Sequence, residues 1–149
     1  MSFIKKSIVI DRPADKVYKF ATDPARWFQW YVGLSEPENM YGSGDAGTKI
    51  EMKYTIIGMN LSLKCEVVEN TEKGDCYVWK GHITGAIDSF QTWTYAPYED
   101  KTEVIIDIEY EVPGSLLGKI ADTFVVEKIQ ENAMEQTLKN LKLICESKF

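Results

Sequence analysis

A chain of 149 residues, 44% hydrophobic and 27% charged, has the composition of one globular domain, large enough for a core and short of a second. Its formal charge of −6 argues against nucleic acid as a partner, because phosphate binding needs a basic surface and no run of Lys or Arg supplies one. Cys65, Cys76 and Cys145 are widely spaced with no Cys-x-x-Cys pair, which reads as reduced thiols in a cytoplasmic protein rather than a disulfide framework or a metal site. Met1 to Ile10 carries two lysines and no signal-like apolar core, and no window approaches ~18 apolar residues, so no transmembrane segment is expected.

Phe3 to Ile10 puts Ile4, Ile8 and Ile10 on one parity and reads as a first strand. Asp11-Arg12-Pro13-Ala14 stops it and opens a helix with proline in its first turn, whose apolar side is Val17, Tyr18, Phe20 and Ala21. Asp23-Pro24 repeats the device and starts a second short helix carrying Trp27, Phe28, Trp30 and Tyr31. Gly33 to Tyr41, with Pro37 inside it, reads as a short edge strand.

The next six residues, Gly42-Ser43-Gly44-Asp45-Ala46-Gly47, match G-x-G-x-x-G letter for letter. A dinucleotide site needs a helix directly behind those glycines. Instead Thr48 to Tyr54 alternates Lys49, Glu51 and Lys53 with Ile50, Met52 and Tyr54. That is a strand, so the glycines form a turn and no cofactor is expected.

Leu61, Leu63, Cys65 and Val67 alternate with polar residues in a half-buried strand, reached through a hairpin at Gly58. Glu69 to Asp75 is polar and contains Lys73-Gly74-Asp75, which reads as another turn. Tyr77 to Lys80 is a brief strand broken by Gly81 to Gly85. A longer one, Ile87 to Tyr95, has Trp93 and Tyr95 on one parity and ends at Pro97. Glu103 to Glu111 is the clearest strand, with Val104, Ile106, Ile108 and Tyr110 opposing four carboxylates.

Pro113-Gly114-Ser115 then opens a run of helix formers that predicts one helix from Ser115 to Glu146, roughly 48 Å long at ~1.5 Å per residue. On it Ile120, Phe124, Met134, Leu138, Leu141 and Cys145 share one face, with Glu127 and Glu131 inside the same stripe.

The predicted class is α+β, a single domain over residues 1–149. A curved antiparallel sheet of about seven strands wraps around the C-terminal helix, with two short helices after the first strand. The space between sheet and helix would be lined by inward aromatics.

Several stretches, taken in order, resemble one superfamily. They are Ser7 to Tyr18, Thr22-Asp23-Pro24 with Trp27 and Trp30, the glycine turn with Lys49, Trp93-Thr94-Tyr95-Ala96-Pro97, Glu111-Val112-Pro113-Gly114 with Leu117-Gly118, and Leu138 with Leu141-Lys142. Together they look like the START and birch-pollen-allergen (SRPBCC) superfamily with its helix-grip fold, and within it the polyketide cyclase/dehydrase and lipid transport group. The resemblance covers essentially the whole chain. It implies a hydrophobic cavity between sheet and helix, used across the group for lipids, quinones, polyketides or plant hormones. The fold serves enzymes and carriers alike.

Candidate wall residues are Trp27, Trp30, Met52, Tyr54, Trp93, Tyr95, Ile106, Tyr110, Phe124 and Met134. Glu127 and Glu131 lie one turn apart and are catalytic candidates if they face the cavity, where burial would raise a carboxyl pKa; on the rim they would simply be solvated. His82, the only histidine, must carry any imidazole chemistry, although a hydrogen-bonded surface role is the plainer reading. It has no second histidine or thiol at ligand spacing, so no metal is expected. The leading expectation is binding or transport of a hydrophobic small molecule. The alternatives are a polyketide cyclase/dehydratase-type enzyme acting on a carbonyl substrate, and a protein or membrane interaction module with transient membrane contact. Monomer and homodimer both stay open.

Overall fold

Strict alternation of apolar and polar residues dominates the middle of the chain, and it produces an antiparallel sheet with one buried and one solvated face. The computed structural model describes residues 1–111, 114 and 123–149. Strand β1 (Ser2–Ile10) is followed by helix α1 (Ala14–Ala21) and a 3₁₀ helix (Pro24–Gln29). Strands β2 (Asn39–Tyr41), β3 (Lys49–Ile56), β4 (Met59–Lys73), β5 (Cys76–Gly85), β6 (Ser89–Tyr98) and β7 (Lys101–Tyr110) come next, and helix α2 (Thr123–Lys148) closes the chain. The sheet order is β1-β7-β6-β5-β4-β3-β2, a meander whose last strand is flanked by the first. The architecture is α+β and helix-grip. Among the described residues no helix is long and apolar enough to cross a membrane.

The turns follow local chemistry. Ile57 and Gly58 link β3 to β4 with φ of 51° and 71°, the mirror-image geometry that matches the twist of a tight hairpin. Asp23 caps the 3₁₀ helix by accepting from the Ala25 N–H at 3.1 Å. Trp30 and Tyr31 therefore lie just beyond that helix rather than within it.

Three expectations are corrected in the sheet. The edge strand is confined to Asn39–Tyr41, although Leu34 makes an isolated bridge to Tyr54. Strand β4 continues through the polar stretch after Val67, past a bulge between Val67 and Glu69, as far as Lys73. Its polar tail is tied down by Glu69, which meets Lys73 at 3.0 Å and Lys80 at 4.0 Å. Strand β5 runs straight through Gly81. A Cβ at Gly81 would lie 2.3 Å from the edge of the Trp79 indole, so glycine there is the floor on which that ring rests rather than a break.

Helix α2 is helical over the described part of the predicted span; Ser115 to Asp122, with Ile120, lie outside the described residues. Its buried side chains are Val126, Met134, Thr137, Leu138, Leu141 and Cys145. An i, i+4 row drifts by roughly 40° per step around a straight helix, so the stripe Val126, Gln130, Met134, Leu138 leads away from the face that contains Phe124. Phe124 is 67% exposed. The sequence reading placed it on the inner face because it followed a straight stripe.

Candidate functional site

The inward residues of β3 to β7 and the beginning of the chain meet α2 around a cavity of about 80 Å³. A single buried water needs roughly 10–15 Å³ and drug-sized ligands sit in roughly 300–1,000 Å³. The cavity therefore has room for a small molecule, whereas a long acyl chain would require the walls to move. Eight of the ten predicted wall residues line it: Trp27, Trp30, Met52, Tyr54, Trp93, Tyr95, Tyr110 and Met134. The inward parity of Trp93 and Tyr95 follows from their pairing with Ile106 and Val104 on β7.

Two predicted wall residues fall elsewhere. Phe124 points away, as described. Ile106 is fully buried but is sealed within the sheet's core, outside the cavity lining. Sequence reading missed Tyr31, Leu63, Cys65, Trp79, Ile83, Gln91 and Gln130, all of which line the cavity. For Leu63 and Cys65 the alternation on β4 carried the signal. For Trp79 and Ile83 it was hidden by reading Gly81 as a break.

The lining is aromatic and close-packed. Trp27 meets Trp79 edge to face at 5.4 Å and Trp30 meets Trp93 at 5.5 Å, geometries that suit the ring quadrupoles. None of the described lining residues is charged. Its polarity comes from hydroxyls and amides. Gln91 Nε2 donates to the Tyr31 hydroxyl at 3.0 Å, and Trp93 Nε1 donates to Gln91 Oε1 at 2.9 Å. Among the described residues this arrangement leaves the Tyr31 proton uncommitted. The Tyr54 hydroxyl donates to Gln130 Oε1 over 3.3 Å, and Trp27 Nε1 donates to the Ala21 carbonyl at 2.9 Å.

Burial pushes the phenols of Tyr31, Tyr54 and Tyr95 above their ordinary range. The ring of Tyr31 is partly exposed, but its hydroxyl is enclosed. Tyr110 is pushed up to about 12, first by burial and then by the nearby charges of Glu127 and Glu131. Its hydroxyl is buried with no partner in hydrogen-bond geometry among the described residues; Ser2, opposite it on β1, is near enough only to ease its ionisation. Burial also lifts the Cys65 thiol to about 12. At neutral pH every one of these groups keeps its proton, so the phenols act as donors and the thiol is a poor nucleophile.

The three catalytic candidates are not brought together. Glu127 and Glu131 are half-exposed on α2 and outside the lining, close enough to Tyr110 for their charges to act on it. His82 is on the outer side of β5, stacked on Phe90 with ring centroids 4.1 Å apart, and its Nε2 lies 3.0 Å from Asp88 Oδ1. Among the described residues no three His, Cys, Asp or Glu side chains gather as a metal site would require. A second hollow lies at the surface between α1 and the end of α2, lined by Lys16, Lys19, Asp23, Arg26 and Lys148 around Phe20 and Phe149. It is open and charged, and it is separate from the aromatic cavity.

Residues 2–146 match the family described as polyketide cyclase / dehydrase and lipid transport. No curated protein matches the sequence. Among solved structures, a Thermus thermophilus protein is 20% identical, with 98% of each chain covered and a TM-score of 0.75. An aromatase/cyclase of a Streptomyces species is 11% identical, with 97% of this chain and 93% of that one covered at a TM-score of 0.76. A START superfamily protein from Mycobacterium smegmatis is 17% identical, with 97% of each chain covered at 0.69. These likenesses establish a common fold.

Proposed function

We propose that this chain, which belongs to the polyketide cyclase / dehydrase and lipid transport family, is a binding protein that encloses a hydrophobic small molecule between its sheet and α2. The observation that carries the reading is the cavity itself: its walls are aromatic and aliphatic, and no charged side chain is among its described lining residues. Acid/base turnover needs a group that changes protonation near neutral pH. The tyrosines and the thiol here are held protonated, and the two glutamates and the histidine stand outside the lining. A carrier needs only the apolar enclosure.

The direct test is saturable binding of 1-aminoanthracene, a small neutral fluorescent dye, together with native mass spectrometry of protein recovered from cells. Ile83→Trp, which places a large ring inside the cavity, is expected to weaken dye binding at least tenfold while preserving the far-ultraviolet spectrum. Absence of both dye binding and any co-purified mass would reject the reading.

A cyclase or dehydratase reading draws support from one feature, the Tyr31, Gln91 and Trp93 chain, which offers a donor able to hold a carbonyl. Conversion of a diffusible poly-β-keto thioester by the protein, abolished in Tyr31→Phe, would favour it over the carrier.

A further inference from the structure

Three buried donors in the cavity wall have no partner in hydrogen-bond geometry among the described residues: the Tyr110 hydroxyl, already described, and two indoles. The indole N–H groups of Trp30 and Trp79 are fully buried and meet no acceptor among the described residues, although both rings line the cavity. The two residues are 3% and 5% exposed. The other two indoles differ: Trp27 donates to the Ala21 carbonyl and Trp93 to Gln91 Oε1. A buried donor without an acceptor is costly, and with the Tyr110 hydroxyl these indoles leave the wall short of three acceptors. The ring edge of Trp79 lies against Gly81, where a Cβ would come within 2.3 Å of it.

Charge narrows the class further. No cation is among the described lining residues, and the carboxylates of Glu127 and Glu131 act on the Tyr110 end. An ionised carboxylate or phosphate placed there would lose its water without gaining a counter-ion. A neutral oxygen meets no such penalty. The narrow volume and the edge-to-face rings favour a flat molecule.

On this basis, and resting on the binding reading above, we infer that the cavity selects small neutral ring compounds carrying a carbonyl-type acceptor oxygen, which takes the free N–H of Trp30 or Trp79. Anionic fatty acids and plain hydrocarbons are the disfavoured classes.

Three single-ring probes of nearly one shape test this: acetophenone, isopropylbenzene and benzoate, titrated into protein labelled with ¹⁵N at its four tryptophans. Acetophenone should bind roughly tenfold more tightly than isopropylbenzene, which corresponds to about 1.4 kcal/mol, and at least tenfold more tightly than benzoate. Its binding should move the Trp30 and Trp79 indole N–H signals downfield while those of Trp27 and Trp93, already bonded, move least. Trp30→Phe and Trp79→Phe assign the signals, and the wild-type probe ranking stands even if either variant fails to fold. Equal affinity for acetophenone and isopropylbenzene with unmoved indoles would overturn the inference and leave the binding reading intact. Benzoate binding as tightly as acetophenone would overturn the preference for neutral ligands. If neither these probes nor 1-aminoanthracene binds, the binding reading itself fails.

Discussion

From Thr137 onward α2 is fastened to several other parts of the chain. The Thr137 hydroxyl accepts from the Val32 N–H at 3.1 Å, Asn140 donates to the Trp30 carbonyl at 3.2 Å, and Lys142 donates to the Val9 carbonyl at 2.7 Å. Glu146 accepts from the Asp11 N–H at 2.8 Å and from Lys142 at 2.7 Å. The half from Thr123 to Gln130 is different. Val126 is buried there, while Ile129 and Gln130 are half-buried, and Gln130 takes the long 3.3 Å bond from Tyr54. One half of the helix is thus a structural bolt, and before it Gln130 and Met134 supply the helix's wall of the cavity. Stability and ligand binding should therefore respond to different positions on a single helix.

The strongest way to break this comparison is in the bolted half. Leu141 is fully buried and Leu143 is 71% exposed. Leu141→Ala is expected to cost about 2–5 kcal/mol in a urea titration, and Leu143→Ala to stay within about 0.5 kcal/mol. Similar losses at the two positions would show that this half is not part of the core. Next in size is Thr137→Val, which keeps the shape and strands the Val32 N–H. A loss of about 1–3 kcal/mol is expected for that unpaired donor, read from the same midpoints.

These positions also mark how far the sequence could be read. The fold was legible because period-2 alternation on β3, β4 and β7 admits only one burial pattern, and because proline and glycine punctuate the elements between them. The bolted face of α2 was legible from its own period, since Leu138, Leu141 and Cys145 repeat at helical spacing. What failed did so where a tertiary contact overrode a local signal. Gly81 looks like a breaker in one dimension and is a seat for Trp79 in three. Phe124 lies on the straight projection of the apolar stripe, while the packed stripe follows the i, i+4 row through Val126 and Gln130. Gln91 and Gln130 carry no sequence signal for a cavity, because an amide reads as surface until its partners are known.

On the wall half, Gln130→Leu separates the two roles. The bond it removes is long, so the stability change should be below about 1 kcal/mol. The freed Tyr54 hydroxyl becomes a further donor toward the cavity, and the acetophenone-to-isopropylbenzene affinity ratio should rise. A destabilisation as large as that of Thr137→Val would mean that both halves are equally structural.

The smallest expected effect is electrostatic and belongs again to the bolt. Hydrogen bonds from Lys142 and from the Asp11 N–H hold the Glu146 carboxyl below its ordinary value. A carboxylate with a depressed folded-state pKa contributes stability above the unfolded value and loses it as pH falls through the folded one. Between pH of about 5 and 3 the wild type should therefore lose more stability than Glu146→Gln, and the two curves should run parallel at higher pH. Glu146 is partly exposed, with side-chain accessibility of 30%, so solvent screening keeps the difference small. Equal acid sensitivity in the wild type and Glu146→Gln would mean that the bolt's charged end is held by packing alone.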